Sequence, residues 1–279
     1  MNQELIKSVA GRIKLVTVNC GAWRAKRGNK AESVAVNERH GTVNVASVSV
    51  RLTDHASLVG IYDGKGACVK QGLYSLHSEV YAFNQSKTFP SVMDGMRVVP
   101  LGFEFEHSNA MKEFKAKHDS LVSEFLSAYE AIKEEAPFKL NGLFDGKQWP
   151  SLEKVASKFS FTTRYLECPT DGAWADWLGD TVECVQLELR ERLVTYARHM
   201  ADVCGNDRRI FQSTLDNLRE VCALAGSQFN LADDPIIAQA AKSLSQVMGT
   251  VDINVLRDSE TTRKSVAQQV NSVLSTFGL

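Results

Sequence analysis

The chain has 279 residues, 44% of them hydrophobic and 23% charged, with a net charge of −1. That balance belongs to a soluble globular protein, long enough for one large or two ordinary domains and able to fold without disulfide staples. The apolar runs, such as 15–18 and 98–101, fall far short of the ~20 residues that span a bilayer, and 1–12 lacks an apolar signal core. A cytoplasmic protein without membrane attachment is expected.

In chain order, 15–23 (LVTVNCGAW) is β-branched and aromatic enough for a strand, and RAKRGNK follows it. A short helix is expected over 31–39. Residues 42–52 alternate with one phase shift, as a bulged strand does, and are expected to share a small sheet with the first strand. Asp54 is a candidate cap, and a helix is expected over 67–83 with Leu73, Leu76, Val80 and Phe83 inward. After a loop at 87–95, a third strand is expected over 96–101.

The organising stretch is 108–136, with Met111, Phe114, His118, Leu121, Phe125, Ala128 and Ile132 at alternating three- and four-residue intervals. This is the heptad seam of a long helix packed on another helix, capped by Ser108 and ended by Pro137. Residues 137–180 form an aromatic connector, rich in Pro, Gly and Trp, with a short helix at 151–159. Periodicity then marks four helices. Their inner faces are Val182 to Val203, Phe211 to Ala225, Ile237 to Met248 after Asp234-Pro235, and Val266 to Phe277. Short loops make such neighbours antiparallel. The expected fold is therefore α+β and mostly α: a small sheet-containing part at 1–103 and a long-helix, coiled-coil-like antiparallel bundle at 104–279.

Charge is unevenly spread. Nine basic residues against three acidic ones through residue 51 give +6, so the remainder carries −7. Within the basic part, Arg24, Lys26, Arg27 and Lys30 surround Trp23, combining cations for phosphate with a flat ring for stacking. The alternative at this point is a solvated loop with Trp23 in the core.

Other motifs read as structure. The segment 60–66 (GIYDGKG) lacks the spacing and the Ser or Thr of a phosphate loop, and Asp63-Gly64 makes it a turn. Six scattered cysteines contain no C-x-x-C pair, and six histidines offer no metal-ligand spacing. His118 reads as a hydrogen-bonded or register-setting core residue. FEFEH at 103–107 reads as exposed acids between buried Phe103 and Phe105, with a site at Glu104, Glu106 and His107 as the weaker alternative. Asp176, Asp180, Glu183, Glu188 and Glu191 form an acidic face where a helix begins, which favours the helix dipole.

With LVTVNCGAWRAKRGNK, MRVVPLGF leading into EFKAKHDSLVSEFLSAYEAI, and FQSTLDNLRE followed by FNLADDPIIAQAAKSL, the order of features resembles an uncharacterised phage and bacterial family known only as a domain of unknown function. The resemblance implies phage-linked genes, sometimes near AAA+ ATPases of the MoxR or cobaltochelatase type. It supplies no catalytic residue.

The reading that follows is a non-enzymatic binding or adaptor protein without a cofactor. Its helical seam (Met111, Phe114, His118, Leu121, Phe125 and Ile132) would face a protein partner, such as an AAA+ ATPase, or a second copy of the chain. The alternative is a single-stranded nucleic-acid-binding protein of phage DNA metabolism, using Trp23, Arg24, Lys26, Arg27 and Lys30. Either would work in the cytoplasm, that of the host if the chain is phage-encoded.

Overall fold

The computed structural model describes residues 8–29, 34–35, 38, 48–53, 61–62, 68–140, 146–147, 149–168, 174–206, 208–227, 229–249 and 251–279. The strands are β1 (Ile13–Gly21), β2 (Lys26–Asn29), β3 (Val48–Arg51), β4 (Ile61–Tyr62), β5 (Cys68–Lys70), β6 (Phe89–Pro90), β7 (Arg97–Pro100) and β8 (Ser160–Glu167). The helices are α1 (Leu73–Lys87), α2 (Leu101–Ser127), α3 (Tyr129–Leu140), α4 (Leu152–Ala156), α5 (Trp174–Gly205), α6 (Gln212–Ser227), α7 (Pro235–Gly249), α8 (Ile253–Asp258) and α9 (Glu260–Phe277). The fold is α+β and mostly α, with a four-stranded antiparallel sheet in the order β6-β7-β1-β8. Among the described residues, no helix is long and apolar enough to cross a membrane.

Contacts divide the chain into two compact units, each built from separated segments. Unit 1 is Met1–Thr17, Ser86–Phe105 and Arg164–Leu279; unit 2 is Val18–Gln85 and Glu106–Thr163. The expected boundary at 103/104 lies inside α2.

In unit 1, β1 pairs with β7 from Ile13 opposite Pro100 to Val16 opposite Arg97. Helix α5 carries Leu178, Val182, Val185, Leu189, Leu193, Ala197 and Met200 on one buried stripe. That stripe meets α6, α7 and α9 in a single core. Its spacing is the three-four alternation that keeps one face of a helix inward. Polar groups finish the helix ends. Arg219 donates to the carbonyls of Met248 and Val251, each at 2.8 Å, which covers the end of α7. Gly278, left-handed at φ 64°, closes α9 with Leu279 N donating to Leu274 O at 2.9 Å. Arg192 from α5 donates to the carbonyls of Ser86 and Thr88 at 3.1 Å each, and its guanidinium lies 4.4 Å above the Phe89 ring.

In unit 2 the core is aromatic. Trp23, Phe125, Tyr129, Trp149 and Phe159 form a chain of tilted and edge-to-face rings with centroids 5.7 to 6.4 Å apart. Helix α1 lies against α2 through Phe83 and Phe114, His77 and His118, and Asn84 and His107. The pairing runs upward in one number and downward in the other, so within unit 2 these helices are antiparallel.

Several sequence expectations need correction. The organising helix is two helices: α2 starts at Leu101, before Ser108, and stops at Ser127, whose hydroxyl donates to Glu124 O at 2.8 Å. Pro137 sits inside α3 near its end, where its missing N–H costs one bond of the last turn. Residues 103–107 are helical, and Phe105 is 77% exposed. Phe211 precedes α6 and is 53% exposed, because the inner face of that helix begins at Leu215. The second strand, β3, pairs with β2 and lies in a different sheet from β1. The aromatic connector contains a full strand, β8, whose alternation is masked by polar residues on both faces. Asp54, most of 31–39 and residues 42–47 lie outside the described residues, as does most of the turn at 60–66.

Candidate functional site

The basic cluster leaves the end of β1 through Ala22 and Trp23 and turns into β2. Ala25 makes the turn in the left-handed region at φ 50°, and its carbonyl accepts from Leu52 N at 2.7 Å. Ala25 is buried, whereas Arg24 and Lys26 on either side are exposed. The turn therefore delivers both cations to solvent. The antiparallel register then sets Lys26 opposite Arg51 and Arg27 opposite Val50. Residues opposite one another in such a pair share a face, and like charges placed so are destabilising unless a counter-charge arrives. Neither β2 (KRGN) nor β3 (VSVR) contains an acid. Arg51 was missed as a site residue, because only the long-range backbone register sets it opposite Lys26. Lys30 lies outside the described residues.

Trp23 has a different place. Its ring contacts Phe125, Tyr129 and Trp149 at 5.9, 6.0 and 6.4 Å, and Tyr74 Oη donates to its carbonyl at 3.0 Å. It is half-buried in the core of unit 2 and anchors the basic turn. Its neighbour Tyr129 donates its hydroxyl to Pro150 O at 2.6 Å, and burial pushes that phenol up to about 12.

The seam residues are interior as well. Met111, Phe114, His118, Phe125 and Ile132 are at most 8% exposed, and Leu121 is half-buried. The chain covers the seam with its own side chains, which is what an intramolecular heptad face requires.

The remaining candidates have local partners. Glu104 accepts from Lys14 Nζ at 2.9 Å, while His107 Nε2 and Asn84 Oδ1 are 3.0 Å apart. Burial pushes the His107 imidazole down to about 4 and the Cys20, Cys168 and Cys222 thiols up to about 11, 11 and 12. All four are thus held in uncharged forms, the opposite of the activated thiolate or poised imidazole of a nucleophilic site. Among the described residues, no group of three or more His, Cys, Asp or Glu could hold a metal ion.

Comparison of the chain with protein-family models, with curated proteins and with solved structures gives no match.

Proposed function

We propose that this chain is a non-catalytic binding protein whose ligand is the phosphate backbone of a nucleic acid, taken at the β2–β3 strand pair. The observation that carries this reading is the register that sets Lys26 opposite Arg51, with Arg24 and Arg27 beside them and no acid in either strand. Three cationic residues of one short strand pair, with Arg24 in the turn before it, would meet a line of phosphates by displacing its condensed counterions, a sequence-independent attraction. Because Trp23 is packed among other rings, it supports the turn and leaves base stacking out of the interaction. Single-stranded and double-stranded ligands should then bind comparably.

The test is fluorescence anisotropy with labelled single- and double-stranded DNA and RNA. If four phosphates are neutralised, affinity falls ~50- to 150-fold between 50 and 200 mM salt, and changing Arg24, Lys26, Arg27 and Arg51 to Ala abolishes that dependence. Trp23→Phe leaves affinity unchanged while destabilising unit 2. Binding with an undiminished salt slope in the four-fold variant, or no binding at 50 mM salt, overturns the reading.

A second reading, the protein adaptor, is favoured by one observation in unit 1. Leu101 and Phe105 stand one turn apart on α2 and are 41% and 77% exposed. Large apolar side chains paired on an exposed helix face are a signature of protein contact. Changing both to Lys should then abolish co-purification with a co-expressed AAA+ ATPase of the MoxR type, and unchanged co-purification would remove this face from consideration.

A further inference from the structure

We infer that the stacked imidazoles of His77 and His118 are a proton-operated latch that holds α1 against α2 inside unit 2 when uncharged and releases it when charged. His77 lies on the buried face of α1 with Leu73, Leu76, Val80 and Asn84; His118 lies on that of α2 with Met111, Phe114 and Phe125. Their ring centroids are 5.3 Å apart and the planes are within 15° of parallel. The residues are 8% and 2% exposed, and Nε2 of each ring is buried without a hydrogen-bond partner.

Proton positions follow from the neighbours. His118 Nδ1 is 3.2 Å from Asp119 Oδ1, and since a carboxylate only accepts, the ring donates there. In neutral His118 the lone pair is then on Nε2, the atom that has no partner. Among the described residues, α2 brings charged groups to the pair: Asp119, and Lys115, which holds the other Asp119 oxygen at 2.6 Å. From β8 comes Phe161, uncharged, with its ring 5.6 Å from His118; α1 brings His77 itself.

A proton added to His118 creates an Nε2–H that has no acceptor in place, and a second proton on His77 would put two cations at stacking distance in an apolar setting. Separation of the helices lets both groups reach water. Charging is therefore coupled to release. Consistent with this, burial and the neighbouring imidazole push His77 down to about 4. Since that lies below the ordinary histidine value of ~6.5, the latch is closed above ~6.5 and weakens as pH falls toward 4, by up to ~10-fold per pH unit through His77.

The same helix pair supplies the control. His107 is also buried, but its Nε2 has Asn84 as a partner at 3.0 Å. The experiment uses the full chain: histidine Cε1–H NMR titration from pH 7.5 to 3.5, with hydrogen exchange of 73–87 corrected for the intrinsic pH dependence. His77 should titrate below pH 6, and opening of α1 should rise by up to ~100-fold from pH 6.5 to 4.5. His77→Phe and His118→Phe keep a ring that cannot charge and should cut that rise to ~10-fold or less; His107→Phe, which removes another imidazole that burial pushes down to about 4, lowers the rise by its own share and leaves the His77 response in place. Titration of His77 near 6.5, or an opening profile unchanged in both phenylalanine variants, overturns the latch. Should those variants fail to fold, the wild-type titration decides by itself.

Discussion

In unit 1 the buried side chains are mostly aliphatic and recur every three or four residues along α5, α6, α7 and α9, around a Phe89–Phe229 pair with centroids 4.3 Å apart. In unit 2 the core is a set of rings drawn from the end of β1, from α2 and α3, and from the segment before β8. The polar groups differ too. Unit 1 buries Thr88, Thr181, Thr214 and Asn230, which do not titrate, whereas unit 2 buries His77, His107 and His118. An aliphatic core is non-directional and tolerates repacking; a ring cluster has preferred angles, and buried imidazoles tie stability to pH. One chain thus contains a core without buried imidazoles and one that buried imidazoles couple to acid.

The comparison can be broken most directly by truncation. Phe125→Ala removes a ring with contacts to Trp23, Tyr129 and Phe159 and should cost ~3–5 kcal/mol; Leu193→Ala in α5 should cost ~2–5 kcal/mol. Urea unfolding measures both. The conservative pair sharpens the contrast: Leu193→Met should stay below ~1.5 kcal/mol, and Phe125→Leu should exceed it because the ring contacts are lost with the volume.

Acid should separate the two cores next. His77 and His107 are each held down to about 4, below the ordinary ~6.5, so the unfolded chain binds more protons between those values. Their contribution is complete above ~6.5 and is lost as pH falls to about 4, about 3 kcal/mol for each group. Hydrogen exchange at pH 7 and pH 5 should show α1 and α2 losing protection first, and equal losses in α5 and α6 would remove the distinction.

The smallest of these effects concerns the seam between β1 and β8 in unit 2. A Cβ on Gly21 would meet Ser160 Oγ and lie 3.1 Å from Lys158 O. Gly21→Ala should therefore cost ~1–3 kcal/mol by overpacking, with the loss appearing as a lowered urea midpoint. A neutral outcome would mean that β8 moves aside freely there.

This contrast also explains what could be seen in the sequence. The helices of unit 1 were legible because Leu189, Leu193 and Leu218 keep a period that any window reveals, and the strand at 96–101 stood out between a loop and a helix. The β2–β3 pairing was not legible. It joins residues 19 to 25 apart through a register that no local pattern encodes, and Arg51 accordingly went unnoticed as a companion of Lys26. Trp23 illustrates the same limit, since a half-buried tryptophan beside cations has one local pattern whether it stacks on a base or on Phe125. The single long helix was misjudged because the seam continues in phase through Ala128, where the interruption is a single residue and Ala128 N still donates to Glu124 O at 3.3 Å.

The division into separated segments has a consequence for how the chain emerges during synthesis. Every residue of unit 2 precedes position 164, so its contacts can all form while the last two fifths of the chain are still being made. Unit 1 has no such schedule. Its first segment ends at Thr17, yet Arg12 finds Asp233 and the carbonyl of Asn230 only after more than two hundred further residues have been added. The partners of Ser86 and Thr88 come from Arg192, roughly a hundred residues later. The amino-terminal strand and the 86–105 segment therefore leave the ribosome as unfinished edges, exposed to wrong pairings until α5 arrives to complete them.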